Sequence, residues 1–336
     1  MKRIFISIVV LIMLVSIAPS SPTPTQAQET TIWIGAGSTT LDPYYVPLFT
    51  LGRNILAEDG ITIEFVSLTT DEAVEAALAR GRVDAGILAT VGLNRALNAG
   101  LSFKVVLGVE TYNPFVLVTH SDLEDLSELE GKKVAAQSRT SLSVTVAEVL
   151  LEQAGLSSGD DYEMVFLAGS GNRAAALENG SIDAAVIFGP VATNLVDNSD
   201  GEFKVYGGVW DVLDPMLWEG VAFSDAFREE NPEVAAAFVS AMLEAYAQFY
   251  EGDPAEMVTL VEDIPEVVDT DAAALQKEYE LYQEIGLYPL DGGVSVEAYE
   301  MMTEFLVDVG QLEEDEVVSY EDAIDPSFVE SLMMEE

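Results

Sequence analysis

One stretch of this chain is written twice. Residues 76–87 read AALARGRVDAGI and residues 175–186 read AALENGSIDAAV, which sets Asp84 and Asp183 at 99 positions apart. Ala, Ala, Leu, Gly, Asp and Ala coincide in the two copies. Self-similarity of this kind marks one supersecondary unit used twice. Hydrophobic period and turn residues then give the unit. The first copy reads as strand 31–35, a Gly/Ser/Thr turn, a helix ending near residue 57, strand 61–68, helix 71–79 and strand 84–89. The second reads as strand 133–136, a turn at 138–140, helix 141–154 closed by Gly155, strand 163–167, helix 172–178 and strand 183–188. The order β-α-β-α-β with short connections predicts a parallel, helix-covered sheet in each copy, and hence an α/β protein of two doubly wound lobes.

At 336 residues the chain exceeds what one core usually covers. Residues 115–120 are expected to leave the first lobe and residues 218–223 to return to it. That gives a first lobe of 28–114 plus 222–336, and a second of 115–221. Helices are expected at 232–250, 254–262, 271–285 and 295–309, packed on the first lobe and bracing the hinge. The Met, Leu and Phe stripe between Phe238 and Phe249 recurs at helical spacing and reads as core.

Before the first strand, Lys2 and Arg3 precede an apolar run over residues 4–18, then Pro19 and a stretch ending Thr25-Gln26-Ala27. This is the pattern of an export leader, residues 1–27, cut after Ala27. The apolar run is shorter than the roughly 20 residues that span a bilayer. There is no cysteine, so a disulfide, a thiolate metal site, a cysteine nucleophile and a lipid-modified cysteine are all excluded. The expected location is the periplasmic or extracellular side of the membrane.

Acidic residues number 59 against 14 basic ones, for a formal charge of −45. Phosphate recognition needs clustered Lys and Arg, so nucleic acid and anionic lipid are excluded as partners. A hydrophobic content of 49% nevertheless marks a folded chain. Self-repulsion at this charge is tolerable where salt screens it.

Two glycine-rich turns, beginning at Gly35 and Gly169, each follow a strand. The first lacks a small residue at the helix start. The second leads to a strand ending Val186-Ile187-Phe188, without the acid that would hold a ribose, so neither reads as a dinucleotide site. The single histidine, His120, closes a strand, and no G-x-S-x-G elbow accompanies it, so a Ser-His-Asp triad is not indicated. Metal binding through paired histidines is impossible. The stretch Ser138-Arg139-Thr140-Ser141-Leu142-Ser143 sits where strand gives way to helix. Ser141 is placed to cap that helix, and Arg139 adds a fork of donors for an anion. Tyr44, Tyr45, Tyr112, Trp210 and Trp218 stand at strand ends and hinge segments, where open α/β sheets bind ligands.

The stretch Gly131-Lys132-Lys133-Val134-Ala135, then Ala154-Gly155-Leu156, then Ala176-Leu177-Glu178-Asn179-Gly180-Ser181-Ile182-Asp183-Ala184-Ala185 resembles a known family. These are the NMT1/THI5-like periplasmic solute-binding proteins for nitrate, aliphatic sulfonates, taurine and thiamine-pyrimidine precursors, which serve ABC importers. Glu58-Asp59-Gly60-Ile61 and the ending from Gly310 to Phe328 are similar too. The resemblance implies a type II periplasmic-binding-protein-like fold: two lobes, a hinge and a helical C-terminal extension. It implies a monomer that holds a small-molecule ligand between the lobes and delivers it to an ABC transporter permease, with no cofactor and no catalysis. By position, its ligand contacts fall on Ser38, Thr39, Tyr45, Thr90, Tyr112, Asn113, Ser138, Arg139, Thr140, Ser141, Phe188, Pro190 and Trp218. Pyrimidine-precursor binders place a Glu before the proline, where this chain has Gly189. A fungal enzyme of the family uses a cysteine-rich motif that is missing here. The leading expectation is a small anion of sulfonate, taurine or nitrate type seated on Arg139, Thr140 and Ser141. Alternatives are a neutral heteroaromatic such as a pyrimidine or flavin stacked on Tyr45, Tyr112 or Trp218, and a secreted enzyme working with paired carboxylates.

Overall fold

A computed structural model describes residues 30–37, 43–68, 70–139, 141–262, 264 and 271–334. The expected export leader, and Ser38, Thr39 and Thr140 among the expected contacts, lie outside the described residues. The first half runs β1 (Thr30–Ala36), α1 (Arg53–Glu58), β2 (Ile61–Ser67), α2 (Asp71–Ala79), β3 (Ala85–Ala89), α3 (Thr90–Asn98) and β4 (Phe103–Glu110). Then β5 (Phe115–His120) crosses over. The second half runs β6 (Lys133–Ala136), α4 (Leu142–Gln153), β7 (Glu163–Phe166), α5 (Ser170–Glu178), β8 (Ala184–Phe188), α6 (Gly189–Asn198) and β9 (Phe203–Gly208). The duplicated unit is thus longer than the sequence suggests, since α3 with β4 matches α6 with β9.

Strand order is β2-β1-β3-β10-β4 in one sheet and β7-β6-β8-β5-β9 in the other, where β10 is Glu219–Ser224. The two orders are equivalent place for place. In each sheet the crossing strand enters the fourth position and runs antiparallel to both neighbours. The sheets are therefore mixed, not wholly parallel as the element order predicts. A βαβ pattern fixes the direction of strands joined by helices, and says nothing of a strand donated by the other half.

The repeated AAL–G–DA motif has a structural cause. Leu78 and Leu177 are buried helix residues, and Gly81 and Gly180 follow the helix ends with φ of 61° and 70°, a conformation that favours glycine. The aspartates then tie the next strand in place. Asp84 accepts from the backbone N–H of Trp33 at 2.9 Å, and Asp183 accepts from that of Lys133 at 2.9 Å. In return the N–H of Asp84 donates to the Trp33 carbonyl at 2.8 Å, and that of Asp183 to the Lys133 carbonyl at 2.9 Å. Asp84→Ala and Asp183→Ala are each expected to cost about 1 kcal/mol, the net worth of one hydrogen bond. The double variant should lose about twice that, because the two sites lie in separate sheets. Urea unfolding of the three variants checks both the size and the additivity.

The C-terminal part is helical: α7 (Asp225–Glu230), α8 (Pro232–Glu251), α9 (Pro254–Glu262), α10 (Ala272–Ile285), α11 (Val296–Asp308), α12 (Tyr320–Ala323) and α13 (Ser327–Met333). Phe238, Met242, Tyr246 and Phe249 of α8 are buried against a turn of π-helix at Pro47–Gly52. A Cβ at Gly52 would lie 1.6 Å from the Met242 methyl, so the Met242 side chain packs where any larger residue would displace it. One helix, α10, touches both halves. The Tyr279 hydroxyl of α10 donates to the Pro43 carbonyl at 2.9 Å. Just before it in the same helix, Glu278 accepts from the Thr193 hydroxyl of α6 at 2.6 Å, and Lys277 pairs with Asp197. Helix α10 clasps both halves. No described helix is long and apolar enough to cross a membrane.

Candidate functional site

The carboxyl ends of the parallel strands and the first residues of the two crossing strands meet at one place. Around them is a cavity of about 580 Å³. Its first wall comes from the first sheet: Glu110 ends β4, and Glu219 opens β10. These two acids are opposed in the β4–β10 register. Its second wall comes from the second sheet: Phe115 opens β5 and is paired in register with Phe188 at the end of β8, their rings 5.9 Å apart. Tyr44 spans the gap, with its ring 6.1 Å from that of Phe188. Crossing strands run antiparallel, so their beginnings lie at the carboxyl edge of their sheets, where open α/β sheets take ligands.

Each wall is fixed from behind. The Tyr44 hydroxyl donates to that of Tyr45 at 2.9 Å, and Tyr45 donates to Glu219 Oε2 at 2.8 Å. Burial first, and then the Glu219 charge, pushes the Tyr45 hydroxyl well above the ordinary phenol range, so it remains a donor. Behind the aromatic wall, the buried Arg173 guanidinium is spent on the Val186 carbonyl at 2.6 Å, the Leu167 carbonyl at 2.9 Å and Ser170 Oγ at 2.9 Å. Ser170 Oγ also accepts from the Phe188 N–H at 3.1 Å.

A second cavity of about 410 Å³ shares Phe115 and Leu142 with the first. It lies between α2 and α3 of the first half and the start of α4 in the second. Glu75 there is pushed up to about 7, by burial first and then by Glu72 and Asp71, against the lowering effect of Arg95. A Cβ at Gly37 would lie 2.0 Å from Asp71 Oδ1, so glycine in the first turn lets the helix start approach.

The expected contacts separate into groups. Asn113, Phe188 and Pro190 line the main cavity, and Ser141 lines the second. Asn113 also shapes its segment, its Oδ1 accepting from the Phe115 N–H at 3.1 Å. Tyr45 stands one layer back, holding Glu219. Thr90 is buried and lines neither cavity, since its hydroxyl donates to the Leu217 carbonyl at 2.5 Å. Tyr112 is buried in the first crossover, its hydroxyl pushed up by burial first and then by Asp214. Trp218 is fully buried with its ring 5.6 Å from Phe305, which makes it part of the first core and not a stacking platform.

Of the expected anion seat, Arg139 and Ser141 are described, and they line different depressions. Arg139 lies over the Phe166 ring at 4.8 Å, in a separate depression shared with Glu148, Asp160, Asp161 and Glu163. The ring face attracts the guanidinium there, and the four acids line the same depression. Ser138 is exposed. Ser141 occupies the cap position of α4, yet its hydroxyl makes no cap bond; it donates back to the Ser138 carbonyl at 3.0 Å and meets Ser143 Oγ at 2.8 Å.

Gly189 has a physical reason. A Cβ there would lie 2.1 Å from Glu278 Oε2. The chain has no acid before this proline, but the Glu278 carboxylate reaches that spot from α10. Burial pushes Glu278 up to about 7, against the lowering effect of hydrogen bonds from Thr193 and Tyr282. Sequence reasoning missed Glu110 and Glu219 altogether. Each is an acid at the end of an apolar strand, a weak signal among 59 acids.

The NMT1/THI5-like family model matches residues 53–257. The chain belongs to this family. Among solved structures, the ligand-binding component of an ABC-type import system from Staphylococcus aureus, with zinc bound, is similar at 16% identity and a TM-score of 0.70, covering 90% of this chain and 98% of that one. The nitrate-binding protein of Synechocystis PCC 6803 is similar at 12% identity and 0.67, covering 91% and 89%. The aliphatic sulphonate binding protein of Escherichia coli follows at 19% and 0.64, covering 90% and 92%. These likenesses establish the periplasmic-binding-protein fold for the family member described here. No curated protein sequence matches the chain.

Proposed function

We propose that this family member is the extracytoplasmic solute-binding component of an ABC importer, holding one small molecule in the cavity between its two sheets. One observation carries the proposal: a concave site at the carboxyl edges of both sheets, with an acidic wall from one half and an aromatic wall from the other. Such a site is completed only when the halves stand together, which couples ligand capture to closure about the crossovers. The crossovers are themselves joined, since the Met216 N–H donates to the Thr111 carbonyl at 3.1 Å. Supporting it further, the similar Staphylococcus aureus, Synechocystis and Escherichia coli proteins are described as ligand-, nitrate- and sulphonate-binding. Those last two are the support for an anion as ligand. Against a carboxylate-based hydrolase, Glu110 and Glu219 stand side by side on neighbouring strands, while glycosidases flank the scissile bond with their two acids.

Native mass spectrometry of protein purified without refolding should find a retained solute of one mass. Adding that solute at about 100 times its Kd should stabilise the protein by about 2.7 kcal/mol and raise Tm by several degrees. Phe188→Ala should abolish retention while leaving the fold intact by circular dichroism. A protein that retains nothing, and whose Tm responds to no solute, would contradict the proposal.

A further inference from the structure

We infer that the cleft is built for a small organic monocation, an ammonium or iminium head on an apolar body. This rests on the solute-binding proposal and narrows it. Among the described residues the cavity wall carries Glu110, Glu219 and, at the cap of α10, Asp271, and no Lys, Arg or His. Glu110 and Glu219 are opposed on neighbouring strands, so a cation in the cleft is attracted by both at once. Opposite them, Phe115 and Phe188 offer apolar area and ring faces, which suit the body of the same ligand and attract its charge, while Tyr44 of the first half spans between the two walls. The two halves therefore divide the work: carboxylates of the first sheet take the head, and rings of the second take the body.

The alternatives are weaker on the same residues. Among the described residues of the wall, an anion would face three acids and no base. Arg173 lies behind Ser170 with its guanidinium turned onto two carbonyls, and Arg139 lies over Phe166 in another depression. A bare metal ion wants three or more protein ligands, and among the described residues no three His, Asp or Glu side chains gather to hold one. The protein's field points the same way, because a formal charge of −45 raises the local concentration of cations at the cleft and lowers that of anions.

Three probes of one shape test this: benzylammonium, benzyl alcohol and benzylsulfonate, titrated calorimetrically into protein stripped of retained solute. Benzylammonium should bind at least about tenfold more tightly than the other two, and increasingly so as salt is lowered. Glu219→Gln should remove on the order of 100-fold of that affinity and leave benzyl alcohol unchanged. Gln keeps an acceptor for Tyr45, and Glu110→Gln, read in the same way, guards against a local folding defect. If benzylsulfonate or benzyl alcohol binds as tightly as benzylammonium, or if the Gln variants keep the preference, the cation assignment is overturned. Failure of benzylammonium to bind at all overturns it too. In each of these cases a solute found by native mass spectrometry leaves the solute-binding proposal standing, so the two failures are distinguishable.

Discussion

Tyr288→Ala is expected to lower the free energy of unfolding by about 3–5 kcal/mol, the range for emptying a large aromatic site in a packed core. Tyr288 is buried among aromatic rings, stacked on Tyr246 at 5.3 Å and edge-on to Phe249 at 4.9 Å. Its backbone N–H donates to the Tyr250 hydroxyl at 2.7 Å, and that hydroxyl donates to the Tyr288 carbonyl at 2.8 Å. Burial first, and neighbouring phenols next, push the Tyr288 hydroxyl well above its ordinary range, so it stays a donor at any working pH. It donates to the Tyr44 carbonyl, while the Tyr279 hydroxyl holds the Pro43 carbonyl next door. Two phenols of the helical extension thus position the residue that spans the cleft. Tyr288→Phe keeps the ring and loses only this bond, costing about 1 kcal/mol. Its larger effect should be on ligand affinity, through a released Tyr44. Guanidinium unfolding and ligand titration of both variants separate packing from positioning: Ala should fail in both, and Phe chiefly in the second.

The parts of the fold that were legible in the sequence are those governed by local rules. Helix 71–79 and strand 133–136 follow from period and punctuation alone, and the structure places α2 and β6 at those residues. The Gly81 and Gly180 turns were legible because a helix end followed by positive φ wants glycine, and the two copies supported each other. The passage of 115–120 and 218–223 between the halves was legible, but the antiparallel insertion of β5 and β10 was not. A strand's own residues do not say that it will enter the other half's sheet between two parallel strands. The site was harder still. Arg139 stood out in sequence because bases are rare in this chain, yet rarity also surrounds it with acids that compete for it. Glu110 and Glu219 were hidden for the opposite reason, since an acid at a strand end is ordinary in such a composition. Their pairing depends on the β4–β10 register, which joins residues far apart in the chain.

Glu278→Gln is expected to change how stability depends on pH by about 3 kcal/mol. Glu278 is 3% exposed and pressed against Gly189, with Thr193 donating to it from α6. Burial sets its folded value at about 7 against an ordinary 4.5. A carboxyl whose value is raised by folding favours the folded state fully below pH 4.5. That advantage fades as the pH climbs and is gone above about 7, where the folded protein must carry a buried charge. Each unit of separation is worth 1.36 kcal/mol, so the whole swing is on the order of 3 kcal/mol. Glutamine has the same shape, still accepts from Thr193 and does not titrate. The other acids with raised values, Glu75 and Asp84 among them, titrate alike in both proteins and cancel in the difference. Chemical unfolding at pH 5 and pH 8 should therefore show the variant gaining on the wild type by up to about 3 kcal/mol at the higher pH. An unchanged difference between the two pH values would mean that the carboxylate is solvated in solution. Because Glu278 and Lys277 tie α10 to α6 while Tyr279 ties it to the first half, the same swing has a mechanical reading. A charged Glu278 is disfavoured by its burial between the halves even though Thr193 donates to it more strongly, so the glutamine variant should hold the halves together better at alkaline pH.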